Sequence, residues 1–527
     1  MSTPPYARPS AGGGWAHPAV RDRRIFDLLL LALCGLIPLA LALGISLDWS
    51  KPNLLLTLGL VVAVVGVVVL MLSTRLDVTV MILAVYLGML AGPVKLGIGA
   101  HEETSVIQDV LVFSVAIGAL MRLLVKRDRL QMPPLSAWVF AYIAVVLVEA
   151  FNPKTDGILH VLGGFRQQLE WVPFFWFGYA LMRSKDRFRK MFLVLGVIAL
   201  ANAIVATYQT RLSPQQVAAW GPGYRARIFP TASGIKGGGR IYVSEGEAKV
   251  RPLALGSDSG FGGGVGLIAL PGALALLAIV RRRRRWIAIA LALAALVAIA
   301  TSLGRLAFVG SGIAVVAFAL LSSVAGRSLS RTSLVLLAMV VIAVPLGVLF
   351  VEIEGAGTFK RYEDIGASST GYKEKAWTNI PKVIGEAPFG VGLGTVGSVA
   401  GFGGKVTELL PEGKGVTADT QWNLLVDETG APGLIVWVAL LLEMVLLAER
   451  RLRYFADGEL RISLAAVFAP IAAFIPMGFS GALSTSAALG PYYWFAAGIA
   501  GYWFIGPGRK IGATLSPTEP ALTAAPS

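Results

Sequence analysis

The sequence predicts an all-α integral membrane protein of about fourteen transmembrane helices, with a large extracytoplasmic loop before the last three. Three observations predict it. Hydrophobic residues make up 55% of the 527-residue chain and charged residues only 15%, where soluble domains carry roughly a quarter charged. Apolar runs long enough to cross about 30 Å of hydrocarbon recur along the whole length. Basic clusters then fall in every second segment between those runs, as the positive-inside rule requires. The formal net charge is +15, from 46 Lys and Arg against 31 Asp and Glu. In a soluble protein this excess would point to nucleic acid. Here much of it sits in short loops between spans, so the expected partner is the lipid bilayer and no nucleic acid.

Taken in order, residues 1–24 form a basic, Pro- and Gly-rich leader expected to be disordered and cytoplasmic. The apolar stretch after it is too long for a signal core and reads as an uncleaved first span. Residues 25–352 hold about eleven spans, near 25–47, 53–73, 77–96, 105–125, 135–151, 168–183, 188–208, 259–280, 286–303, 305–325 and 332–352. The last three lie near 421–448, 461–481 and 486–506, and a tail from 507 to 527 is expected to be disordered. With Arg21, Arg23 and Arg24 inside, the clusters at 122–129, 183–190, 281–285, 327–331, 450–461 and 509–510 all fall on the cytoplasmic side. Both termini are then cytoplasmic. The longer segments 152–167, 211–258 and 353–420 face outward, with a short strand expected at Ile241-Tyr242-Val243 and an amphipathic surface helix over 371–384. The single cysteine, Cys34, excludes an intrachain disulfide and a Cys-based metal site.

Outward loops do not need cations for topology, yet the second and third carry many. Arg251 lies at the end of one such loop, and Arg305 starts a span directly after Ser302-Leu303-Gly304. Arg166 sits at a similar depth before Trp171, with Glu170 four residues on as a possible ion-pair partner. Arginines at the outer bilayer boundary can hold phosphate or pyrophosphate through their planar fork. They can equally snorkel to headgroups or pair with acids.

Four motif blocks follow one another: Arg251-Pro-Leu-Ala-Leu-Gly-Ser-Asp-Ser-Gly-Phe-Gly, Thr301-Ser-Leu-Gly-Arg305, Lys373-Glu-Lys-Ala-Trp377 with Pro388-Phe-Gly-Val-Gly-Leu-Gly394, and Asp419-Thr-Gln-Trp422 with Glu428-Thr-Gly430-Ala-Pro-Gly433. This succession, from Arg251 to about Trp437, resembles the O-antigen ligase and O-antigen polymerase superfamily of bacterial inner-membrane glycosyltransferases. The resemblance implies a metal-independent, inverting transfer of a glycan from a polyprenyl-pyrophosphate carrier to a glycan or lipid acceptor hydroxyl. It implies no cofactor, and a place in cell-surface polysaccharide assembly at the cytoplasmic membrane. Arg251 and Arg305 match family arginines, and Lys373 stands where the family usually has Arg. Arg166, Trp377 and Trp422 complete the expected substrate-binding set. Where the ligases usually show His-Asn, this chain has Asp419-Thr420. That departure favours a polymerase over a ligase.

The chemistry needs a group that takes the acceptor proton while pyrophosphate leaves. Asp419 is the expected base and Glu428, about two and a half turns further along a helix, a second candidate. The competing role for Asp419 is a helix N-cap. Gly390-Val-Gly-Leu-Gly394 lacks the strand–loop–helix setting and the Lys-Ser/Thr of a nucleotide loop, and reads as a turn that lets the loop pack flat. The aromatic run Trp171-Val-Pro-Phe-Phe-Trp-Phe is expected at the lipid interface. A transporter or flippase for an anionic or lipid-linked sugar cargo is the alternative, and would show paired broken helices or polar residues at mid-depth.

Overall fold

The computed structural model describes residues 75–98, 106–125, 132–155, 157–229, 241–244, 247–323, 370–397, 420–479 and 481–509. The expected spans at 25–47, 53–73 and 332–352 fall outside the described residues, as do the leader and tail. Seven of the described helices are long and apolar enough to cross a bilayer, as in a multi-pass membrane protein.

A helix α1 (Leu76–Val85) continues through a π turn (Tyr86–Leu90) into α2 (Ala91–Ile98). Helices α3 (Val106–Val125), α4 (Ser136–Glu149), α5 (Gly157–Leu169), α6 (Pro173–Leu181) and α7 (Lys185–Thr210) follow. Two short helices, α8 (Pro214–Ala218) and α9 (Pro222–Ile228), precede an antiparallel hairpin of β1 (Ile241–Ser244) and β2 (Glu247–Val250), with Ile241 opposite Val250. The remaining helices are α10 (Phe261–Ile279), α11 (Arg285–Thr301), α12 (Arg305–Ser323), α13 (Thr370–Glu386), α14 (Gln421–Leu452), α15 (Gly458–Met477) and α16 (Leu489–Ala500). The chain divides into two compact units, the smaller made of Met1–Leu76 and Ser114–Asp128. Of that unit the described part is essentially the second half of α3. The larger unit holds everything that follows.

Its centre is α10, which is buried almost along its whole length and packs on α7, α11, α12 and α15. Small residues allow this. A Cβ at Gly266 would lie 2.7 Å from the Ala295 carbonyl oxygen of α11, and one at Gly263 would lie 2.6 Å from Ala307 Cβ of α12. In lipid, where helices gain no hydrophobic drive from one another, such close approach is what holds a bundle together.

Side-chain contacts fix which helix ends lie together. Phe192 and Gly196, near the start of α7, pack on Gly272 of α10 and Leu291 of α11. Lys185 Nζ meets Asp457 Oδ2 at 2.7 Å, joining the starts of α7 and α15. Trp503, past α16, donates its Nε1–H to the Met182 carbonyl at 2.6 Å and packs on Phe455 after α14. The basic clusters at 183–190, 281–285 and 450–453 therefore share one end of the unit, and residues 281–285 are all exposed there.

Three expectations are corrected. The segment 152–167 is helical from Gly157, because its polar residues find partners on neighbouring helices. The span at 168–183 is broken by a turn at 170–172 between α5 and α6. The aromatic run after it is core: Trp171, Phe174, Phe175 and Phe177 are buried, and Gly178 and Gly498 let α6 and α16 meet backbone to backbone. The hairpin includes the strand expected at 241–243, and α13 covers the expected surface helix.

Candidate functional site

Away from the basic clusters, the turns that carry Arg251 and Arg305 meet around the N-terminus of α10. Arg251 follows β2 directly and is half-buried. Three residues on, Ala254 adopts a left-handed backbone (φ 54°). Two buried polar residues of α7 hold it there. Gln209 accepts from Ala254 N–H at 2.8 Å and donates to its carbonyl at 3.3 Å. Asn202 accepts from Leu255 N–H at 3.1 Å and donates to the Gly88 and Ile198 carbonyls, each at 2.9 Å.

The second turn is built likewise. Leu303 is left-handed (φ 48°), and Ser302 Oγ donates to Ile299 O at 2.7 Å while accepting from Gly304 N–H at 3.2 Å. A Cβ at Gly262 would lie 3.1 Å from Ala254 Cβ, and one at Gly304 would lie 3.8 Å from Gly260 Cα. The two motif turns thus flank one helix end. The side chain of Arg305 lies outside the described residues.

The start of α14 belongs to the same end. Thr420 is its N-cap, accepting from Asn423 N–H at 3.2 Å, so the cap that the sequence offered to Asp419 is supplied by the next residue. Asp419 itself lies outside the described residues. Gln421 N–H donates to the Gly478 and Gly481 carbonyls at 2.9 and 3.1 Å. A Cβ at Gly481 would lie 2.6 Å from Leu306 Cδ2, so the first turns of α12 and α14 converge on Gly478 and Gly481. Trp422 is buried edge-on against Trp437 and Phe479, with ring centroids 5.6 Å away in both cases.

Glu428 is fully buried and serves as a hub. Its Oε1 accepts from Gln167 Nε2 at 2.9 Å and from Gly394 N–H at 3.1 Å, and its Oε2 accepts from Gln168 Nε2 at 2.7 Å. Gln167 also donates to Val396 O at 3.1 Å, and Tyr142 OH donates to Gln168 at 2.5 Å. The Gly-rich stretch 388–397 is clamped between α5 and α14. Val391 N–H donates to Asp427 O at 2.7 Å and Ala431 N–H to Pro388 O at 2.9 Å. Gly430 interrupts α14 (φ 62°, ψ −164°), and a Cβ there would lie 2.4 Å from both Phe389 C and Pro388 O. Only glycine fits this conformation and this approach. The loop packs flat, and with its oxygens engaged Glu428 is placed to hold that loop.

Arg166 is paired with Asp109 of α3, Nε to Oδ2 at 2.7 Å, and not with Glu170. Glu170 instead accepts from Gln108 at 2.5 Å. Lys373 and Trp377 lie on α13, with side chains outside the described residues. Among the described residues no cluster of His, Cys, Asp or Glu could hold a metal ion.

Sequence reasoning missed Asn202, Gln209, Gln167, Gln168 and Gln421. Their signal was present: polar side chains inside or bordering apolar runs face protein, because lipid offers them no hydrogen-bond partner. No family model matches the chain, and no curated protein sequence matches it.

Proposed function

We propose that this protein transfers a glycan from a polyprenyl-pyrophosphate carrier to an acceptor hydroxyl at the outer face of a bacterial cytoplasmic membrane, as a polysaccharide polymerase or a ligase-like enzyme. One observation carries the proposal. Of the segments on which the resemblance rests, 251–262, 301–305, 388–394 and 420–433 are scattered over the sequence but linked in space at the end of the bundle opposite the basic clusters.

In the reaction the acceptor O–H gives its proton to a base as its oxygen bonds to the anomeric carbon. The bond from that carbon to the phosphoryl oxygen breaks, and the polyprenyl pyrophosphate departs with the electron pair. Asp419, directly before the capped start of α14, is the proposed base. Arg251, Arg305 and Lys373 offset the charge on the leaving group, and Glu428 keeps the 388–397 loop in place. Trp377 borders the glycan path, and Trp422, buried against Trp437 and Phe479, steadies the start of α14.

The test uses purified protein in liposomes with a polyprenyl-pyrophosphate glycan. Arg251→Ala and Arg305→Ala are expected to lower product formation at least a hundredfold, about 2.7 kcal/mol of transition-state stabilisation, with unchanged folding. Undiminished product from the double variant overturns the proposal.

A transporter for a lipid-linked sugar is the second reading, favoured by the interruption of α14 at Gly430. The freed backbone there is met by the Pro388 carbonyl and the packed 388–390 loop. A break filled by protein supports a fixed scaffold better than a moving gate.

A further inference from the structure

We infer that Gln421 and Ser484 form a subsite for a phosphoryl oxygen at the N-terminus of α14, an inference that rests on the glycan-transfer reading above. Gln421 is 0% exposed, Trp422 6% and Ser484 7%, and each keeps a buried polar atom without a hydrogen-bond partner: Gln421 Nε2, Trp422 Nε1 and Ser484 Oγ. A buried donor left unmade is costly, and native interiors rarely tolerate one without a reason.

The amide orientation is fixed by its neighbours. Gln421 Oε1 accepts from both Leu483 N–H and Ser484 N–H, each at 2.8 Å. A flipped amide would set its NH2 against those two N–H groups, so Nε2 is held as a donor with nothing to receive it. Those same bonds place the Ser484 backbone against the Gln421 side chain. Trp422, the next residue along the helix and packed on Trp437 and Phe479, holds a further buried N–H that can only donate.

The chemistry of the set selects the ligand. Amide N–H and indole N–H only donate, and the serine hydroxyl can turn to do so. A sugar hydroxyl would ask for acceptors as well, whereas a phosphoryl oxygen asks for none. Gln421 and Trp422 also stand in the first turn of α14, and the helical run ahead of the Gly430 interruption favours an anion at its start. The adjoining Gly481 approaches Leu306, in the first turn of the helix that Arg305 begins. A diphosphate lying between the two helix starts would meet neutral donors on one side and the arginine turn on the other.

The experiment measures binding of farnesyl pyrophosphate, farnesol and inorganic pyrophosphate to purified full-length protein in detergent. Variants are Gln421→Glu, Ser484→Ala and Arg251→Ala, each with a thermal melt. Gln421→Glu puts an oxygen where Nε2 stands and is expected to weaken farnesyl pyrophosphate at least tenfold. Ser484→Ala removes an unbonded hydroxyl, so it is expected to weaken binding about threefold or more while Tm stays level. Inorganic pyrophosphate competing with the farnesyl form, and farnesol failing to compete, supports a site for the diphosphate itself. Competition by farnesol with none by pyrophosphate overturns it.

Wild-type affinity in Ser484→Ala, with a risen Tm, would mean only a buried packing defect, and would overturn the subsite even if Gln421→Glu does not fold. Loss of binding in Arg251→Ala with full binding in both other variants would sink the subsite and leave the glycan-transfer reading standing. No binding of either diphosphate to the wild-type protein would sink both.

Discussion

Glu428 shows how a single carboxyl group can look catalytic in sequence and be architectural in space. Its two oxygens take three hydrogen bonds from α5 and from the Gly-rich loop, and no part of it reaches solvent. Removing it in Glu428→Ala strands the buried Gln168 amide and the Gly394 N–H and takes one of the bonds from Gln167, a loss of about 3 kcal/mol. A thermal melt in detergent is expected to show this as a clear fall in Tm. Glu428→Gln retains one oxygen acceptor and is expected to melt closer to wild type with measurable product. A variant that melts normally but makes no product would instead give Glu428 a direct chemical role. Neither the partners nor the burial could be read from sequence. Gln167 and Gln168 are about 260 residues away along the chain, and only the fold brings them to the glutamate.

At the scale of elements, hydropathy located the described long helices well, because about 20 apolar residues in a row have few alternatives to a span. It failed where polarity is satisfied by other helices. The stretch Gly157-Ile-Leu-His-Val-Leu-Gly-Gly-Phe-Arg-Gln-Gln reads as loop on composition, yet is α5, since Asp109 and Glu428 answer its Arg166 and its glutamines. Helix α15 gives a prediction that depends on pH. Asp457 caps it, accepting from Glu459 and Leu460 N–H at 3.0 and 3.2 Å and from Lys185 at 2.7 Å. Partial burial pushes its carboxyl up, but the Lys185 bond and the helix N–H groups outweigh this and hold it below the usual carboxylate range. A lowered folded value means the group stabilises fully above its unfolded value, near 4, and loses that contribution as pH falls through the folded one. Tm is therefore expected to drop on acidification below about pH 4, and less so in Asp457→Asn, which keeps an N-cap but cannot titrate. Equal acid sensitivity in the two proteins would assign it to other groups.

At the scale of the whole molecule, the sequence separates two kinds of cation and the larger unit keeps them apart. Clusters at 183–190, 281–285 and 450–453 gather at one end, while Arg251 and the start of α12 stand at the other. Loop charge alone foretold that division, but not that the motif turns would close around α10, which depends on glycines too common in this chain to single out. The sidedness can be tested in a Cys34→Ser background. Gln215→Cys, at an exposed position before the hairpin, is expected to react with an impermeant maleimide added to intact cells. Arg283→Cys is expected to react only after the membrane is opened. The reverse pattern would invert the topology and place the motif end in the cytoplasm.

Ala254 and Leu303 hold a backbone geometry that non-glycine residues adopt at a cost of roughly 1–2 kcal/mol each, and both abut the start of the buried helix α10. Hydrogen bonds hold each corner, Gln209 gripping Ala254 on both its N–H and its carbonyl and Ser302 bridging Ile299 and Gly304 around Leu303. Rigidity is thereby installed at folding, before any cargo arrives. In the proposed reaction, a lipid-borne anion landing between these corners would meet backbone already set, forfeiting little of the freedom that a supple loop would surrender on contact.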